Sequence, residues 1–133
     1  MTDLVLDSSA AVYALTVRSA EASSLRQRLR IGTCHAPHLV GAEVGNVLRR
    51  LELAHTITSA QALTALRALP HLIDEHYPHD GPLGERAWQL RGAITFYDAL
   101  YVALADGLGA PLVTADERLS RAPGLPCVVD VVG

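Results

Sequence analysis

Leu4-Val5-Leu6-Asp7-Ser8-Ser9-Ala10-Ala11-Val12 is the stretch from which the rest of the chain is read. Three consecutive apolar residues fit a short strand buried on both faces. The Asp7-Ser8-Ser9 that follows offers side chains suited to capping a helix N-terminus, and Ala10 to Leu15 continues as helix. Strand, tight turn and helix in so short a span open a parallel α/β unit.

A strand buried on both faces needs neighbouring strands and covering helices, and the remaining sequence supplies them. Ala20 to Leu29 reads as an amphipathic helix ended by Gly32, and Thr33 to Ala36 as a second strand. Pro37 leads into a helix near Leu39 to Leu53, and Ser59 to Leu69 forms another, stopped by Pro70. Leu72 to Tyr77 offers a third strand with poor alternation. Pro82 suits the first turn of a helix running to about Arg91. Tyr97 to Leu108 is a strongly apolar helix closed by Gly107 and Gly109. Leu112-Val113-Thr114 is a short buried strand, and Cys127 to Val132 the last. The pattern predicts an α/β fold with a mainly parallel sheet covered by helices on both faces, in a single domain over residues 1–133 without repeat or linker.

Composition narrows the chemistry. With 133 residues, 50% of them apolar, and a net charge of -3, the chain fits one domain and excludes a disordered or fibrous one. All 11 basic residues are arginine. Without lysine there is no P-loop lysine and no Schiff base, so carboxylates, histidines, hydroxyls and arginines must carry any chemistry. Met1-Thr2-Asp3 opens without a basic leader, and no apolar run approaches the roughly 18 residues of a membrane span. A cytoplasmic protein is expected. Cys34 and Cys127 form no paired motif and read as two reduced thiols, with a single disulfide as the alternative.

Four acidic residues sit where solvation alone does not account for them. Asp7 and Asp116 each follow an apolar strand, at the end where open α/β sheets form their ligand crevice. Taken alone, Asp7 could equally cap the next helix, but two strand ends carrying aspartate fit one shared site better than two unrelated caps. Glu43 lies among Leu39, Val40, Val44 and Val47 of one helical stripe, where an unpaired carboxylate is costly unless it reaches water at the edge. Asp98 stands in the first turn of the most apolar helix, favoured there by the helix dipole, yet on the face of Tyr101, Val102 and Ala105. Four such acids brought together repel unless compensated, and a hard divalent cation with oxygen ligands, magnesium or manganese, compensates them.

Val5-Leu6-Asp7-Ser8-Ser9-Ala10, Gly41-Ala42-Glu43-Val44-Gly45-Asn46-Val47, Tyr97 to Ala105 and Leu112 to Leu119 together resemble a PIN domain, and more narrowly the VapC-type ribonuclease toxins of bacterial toxin–antitoxin pairs. The four acids fall in order with separations of 36, 55 and 18 residues. The resemblance implies a three-layer α/β/α sandwich and cleavage of single-stranded or loop RNA dependent on Mg2+ or Mn2+. It also implies inhibition by an antitoxin whose tail crosses the active-site groove, and homodimerisation. By this resemblance Asp7, Glu43, Asp98 and Asp116 are the catalytic acids and metal ligands, with Asp7 and Asp98 the principal ones. Ser9 and Thr114 match hydroxyls that orient the first and last aspartates, and Asn46 a partner of Glu43.

Two further sets carry alternatives. His71, His76, His79 and Asp80 form either a second metal cluster or a solvated loop. Arg18, Arg26, Arg28 and Arg30 face RNA, a partner, or only water. Two rival functions also stand beside the nuclease. A phosphatase using Asp7 as nucleophile lacks the usual second acid, since Ser9 stands there, and lacks a lysine. A catalytically silent domain of the same fold would bind RNA or a protein without cutting.

Overall fold

The opening strand becomes the centre of the sheet. The structure, a computed structural model, describes residues 2–133. Strand β1 (Asp3–Leu6) is followed by helices α1 (Ser8–Thr16) and α2 (Ala20–Ile31), strand β2 (Thr33–Pro37), and helices α3 (Leu39–Leu53) and α4 (Ser59–Leu72). Strand β3 (Glu75–Tyr77) leads to helices α5 (Pro82–Trp88) and α6 (Phe96–Leu108), then to β4 (Leu112–Thr114), α7 (Glu117–Ser120) and β5 (Val129–Val131). The strands lie in the order β3-β2-β1-β4-β5, all parallel. Helices α1 to α4 pack among themselves, while α6 lies against β1, β2 and β4 with α5 across it. The result is the expected α/β/α sandwich.

Burial follows strand position. Val5, Leu6, Leu112 and Val113 in the two central strands are fully buried, each contributing roughly 1.5–3 kcal/mol of hydrophobic stabilisation. Caps fix where helices begin. Asp7 caps α1 through the N–H of Ala10, Ser19 caps α2 through that of Ala22, and Thr58 and Gln61 cap α4 reciprocally. Gly109 ends α6 with φ of 63°, a left-handed conformation that glycine adopts without a Cβ penalty.

Several boundaries differ from the sequence reading. Pro70 does not stop α4, which runs on to Leu72. In the last turn the missing N–H costs one hydrogen bond, and the helix is already ending. Leu72 therefore belongs to helix, leaving β3 only its three edge residues. Helix α5 closes at Trp88, and residues 89–93 continue as turns. The last strand keeps three residues of the six expected, and the four-residue α7 was not expected at all.

The chain order places the site. From β1 it moves outward to β2 and β3 on one side, then returns past β1 to β4 and β5 on the other. The strand order reverses between β1 and β4, and ligands bind outside the strand ends at such a switch point. Asp7 follows β1 there, and Asp116 follows β4.

Candidate active site

Asp7 is buried at the end of β1 and held by three donors. The Ala10 N–H (2.9 Å) and the Ser9 hydroxyl (2.7 Å) both donate to its Oδ1, and the Thr114 hydroxyl donates to Oδ2 at 2.5 Å. The helix cap therefore falls on the same carboxylate that the sequence places in the expected site. Thr114 is fully buried, and its Oγ1 also accepts the backbone N–H of Asp116 at 3.0 Å. Ser9 Oγ in turn accepts the N–H of Ala115 at 2.9 Å. Both hydroxyls thus bond the first aspartate, and Thr114 reaches Asp116 only through its backbone.

Glu43 projects from α3 and meets Tyr101 of α6, whose hydroxyl donates to Oε1 at 2.5 Å. Tyr101 is 1% exposed and its ring lies in the core, so its hydroxyl needs a protein partner, which Glu43 supplies. The expected pairing of Glu43 with Asn46 is replaced: Asn46 is exposed, one turn along the same helix, and the donor comes from across the fold. Thr95 caps α6 by accepting the N–H of Asp98 at 3.2 Å, which fixes Asp98 in the first turn. Asp116 caps α7 and accepts two bonds from the Arg118 guanidinium at 3.2 Å.

These placements bring the acids into mutual electrostatic reach. Burial is the main cause that raises Asp7, Glu43 and Asp98 above the ordinary carboxylate range, against the bonds donated to them. Repulsion adds to it: Asp98 acts on Asp7, Asp98 and Asp7 act on Glu43, and Asp116 acts on Asp98. Asp116 goes the other way, held low chiefly by its bond from Arg118. An open pocket lined by Asp98, Asp116, Arg91, Arg118 and Arg121 adjoins them.

The donor set is all oxygen and carries more negative charge than burial favours. Among the described residues no three histidine, cysteine or acidic side chains stand close enough to cage a metal ion. That excludes the closed geometry of a structural zinc site. A hard cation held by one or two carboxylates and several waters, the usual mode for magnesium, needs no such cage.

The raised pKa values make a pH prediction. A carboxyl whose folded pKa lies above its unfolded one stabilises the protein fully below the unfolded value, roughly pH 4, and loses that contribution as pH rises through the folded value. Asp7, Glu43 and Asp98 share this sign, and Asp116, being lowered, loses its contribution only in stronger acid. In metal-free buffer the melting temperature is expected to fall from mildly acidic to neutral pH, less steeply in Asp98→Asn than in the parent. Equal slopes in thermal scans of the two proteins would contradict the assignment.

The remaining candidate sets stay apart from this site. Arg26 donates to the carbonyls of Ala14 and Val17 at 3.0 and 2.9 Å, stapling the end of α1 to α2, and Arg28 pairs with Asp130 at 2.9 Å. His71, His76, His79 and Asp80 form no cluster able to hold a metal among the described residues. Cys34 is a buried free thiol, raised to about 12 by burial, and Cys127 is free as well. Sequence reasoning missed Tyr101, which reads as a core residue, and the arginines of the pocket. Arg118, two residues beyond Asp116, was the available signal.

Comparison with known proteins shows the family. The family model described as PIN domain matches residues 4–125. The chain is 52% identical over 132 residues to Ribonuclease VapC1 of Mycobacterium tuberculosis, covering 99% of each. Among solved structures, VapBC2 from Rickettsia felis, bound to a DNA fragment from their promoter, aligns with a TM-score of 0.70 at 16% identity over 98% of each chain. VapBC-5 of Mycobacterium tuberculosis, from the VapBC family of toxin-antitoxin systems, aligns at 0.59 and 18% identity over 99% of this chain and 98% of that one. At such identities the structures speak for the fold alone.

Proposed function

Since the chain belongs to the PIN-domain family, and within it to the VapC ribonucleases, we propose that it hydrolyses RNA phosphodiester bonds as the toxin of a type II toxin–antitoxin pair. What supports this reading is that Asp7, Glu43 and Asp98, from three separate elements, lie within electrostatic reach of one another beside the β1–β4 switch point. Asp7 and Asp98 would be the principal holders of Mg2+ or Mn2+, with Glu43 and Asp116 reaching it through bound water. When bound, such a cation supplies the positive charge that lets these carboxylates ionise together and draws electron density from the phosphodiester.

The chain's own residues do the rest. Ser9 and Thr114 fix both oxygens of Asp7, so its orientation needs no reorganisation when substrate arrives. Tyr101 holds Oε1 of Glu43, which orients the carboxylate so that its other oxygen takes a proton from the attacking water. Arg118 neutralises Asp116 in the free protein and can turn to an RNA phosphate, for which its planar fork is suited. The protein would act in the cytoplasm as a homodimer and be silenced by a cognate antitoxin whose tail lies along the groove. Among the described residues no helix is long and apolar enough to cross a membrane.

Incubating the purified chain with a pool of structured and unstructured RNAs tests the proposal. Cleavage in Mg2+ or Mn2+, arrested by excess chelator and restored by added metal, is expected. Cleavage that continues unchanged in chelator would remove the cation from the mechanism. Binding without cleavage in every divalent metal would instead favour a silent domain.

A further inference from the structure

The pocket beside Asp98 and Asp116 has a wall that hydrolysis alone does not require. It encloses about 760 Å3, and its cationic side chains are Arg91, Arg118 and Arg121. Three arginines thus gather at one opening of a chain whose net charge is -3. Arg118 is committed to Asp116, and Arg121 comes only within 3.9 Å of Glu117 on the exposed surface. Arg91 pairs with no carboxylate among the described residues. Its Nη1 donates instead to the Trp88 carbonyl at 2.9 Å, and its guanidinium carbon lies 4.6 Å from the centre of the Trp88 ring.

Trp88 is the chain's single tryptophan and is 58% exposed. Its ring meets Phe96 edge-on with centroids 6.4 Å apart, and Phe96 is itself exposed. The core between α5 and α6 closes through Ala87, Ala99, Leu100 and Ala103 without either ring. An exposed indole with a second aromatic ring at its edge, against a guanidinium that also lines the arginine-rich pocket, matches what an unpaired nucleotide needs. Bases stack on aromatic and guanidinium planes, and phosphates take the cations.

We propose that Trp88, Arg91 and Phe96 form a stacking platform for an unpaired base of the RNA, with Arg121 holding a neighbouring phosphate, so that the strand enters the acidic centre across this pocket. The inference rests on the ribonuclease reading and adds to it the residues that receive an unpaired base beside the cut. The charge of the rim favours a polyanion over a protein segment as the occupant.

The lone tryptophan makes the test direct. Single-stranded RNA titrated into Asp7→Asn protein in Mg2+ is expected to quench Trp88 emission saturably, and a duplex of the same sequence to leave it unchanged. With a labelled strand, Trp88→Ala is expected to weaken binding roughly tenfold. Arg121→Ala should reduce the slope of log affinity against log salt by roughly 0.7. Thermal scans of each variant check that it is folded. Emission unchanged by a strand that binds, or parent-like affinity in Trp88→Ala, would overturn the platform while cleavage by the parent kept the ribonuclease reading. Quenching without any cleavage by the parent would keep the platform and discard the nuclease. Trp88 emission that shifts to the red on dilution, as a dimer dissociates, would put a second copy on this face and overturn the proposal.

Discussion

Asp7→Asn is expected to lower RNA cleavage by at least about a thousandfold, on the order of 4 kcal/mol of lost transition-state stabilisation, while the protein stays folded. The side chain keeps its shape, and Oδ1 can still accept the N–H of Ala10 and the hydroxyl of Ser9. The second oxygen becomes an amide facing Thr114, whose hydroxyl can rotate to accept instead of donating. Stability therefore changes little, yet the most buried of the four negative charges is gone. Single-turnover rates on one RNA, read beside the melting temperature, check this. A variant keeping a tenth of the parent's rate would remove Asp7 from the centre.

The largest loss of stability at the site is expected from Thr114→Val. The swap preserves volume and β-branching in a fully buried strand residue, so packing is nearly unchanged. What disappears is the hydroxyl. Asp7 loses its donor on Oδ2, the Asp116 N–H loses its acceptor, and the Ser9 hydroxyl loses a neighbour at 3.2 Å. A charge-assisted bond and one orphaned backbone N–H together come to about 3 kcal/mol, or roughly 10 °C in melting temperature for a chain of this size. Asp7 and Asp116 are both freed to move, so activity should fall by about tenfold or more as well. Thermal unfolding and initial rates on the same preparation measure both effects. A variant as stable as the parent would mean that the threonine bond adds nothing net.

How far the sequence foretold this arrangement depends on the kind of signal. The β1–α1 unit was readable because its strand is apolar throughout and its first polar residues are caps. The ends of the sheet were harder. Strands β3 and β5 lie at the edges with three residues each, too short for alternation to declare itself, and their flanks belong to a helix end and a loop. Pro70 misled because a proline stops a helix interior more surely than a last turn. The positions of the acids were legible, since strand ends and apolar stripes are local features. Their partners were not. Thr114 and Asp7 are 107 residues apart, and Tyr101 and Glu43 58 apart, so neither bond has a local trace. Asn46 looked right only because a helical neighbour is the one partner a sequence can display.

Manganese titrated calorimetrically into metal-free protein, beside Asp98→Asn, tests the shared centre most directly. Asp98 gives its backbone N–H to the helix cap, and an amide oxygen can still accept from the Thr95 hydroxyl, so the variant is expected to leave the fold alone. Saturable uptake by the parent, weakened at least about tenfold in the variant, is the expected result. A parent that takes up no manganese, or a variant that takes it up equally well, would contradict a centre built from these carboxylates.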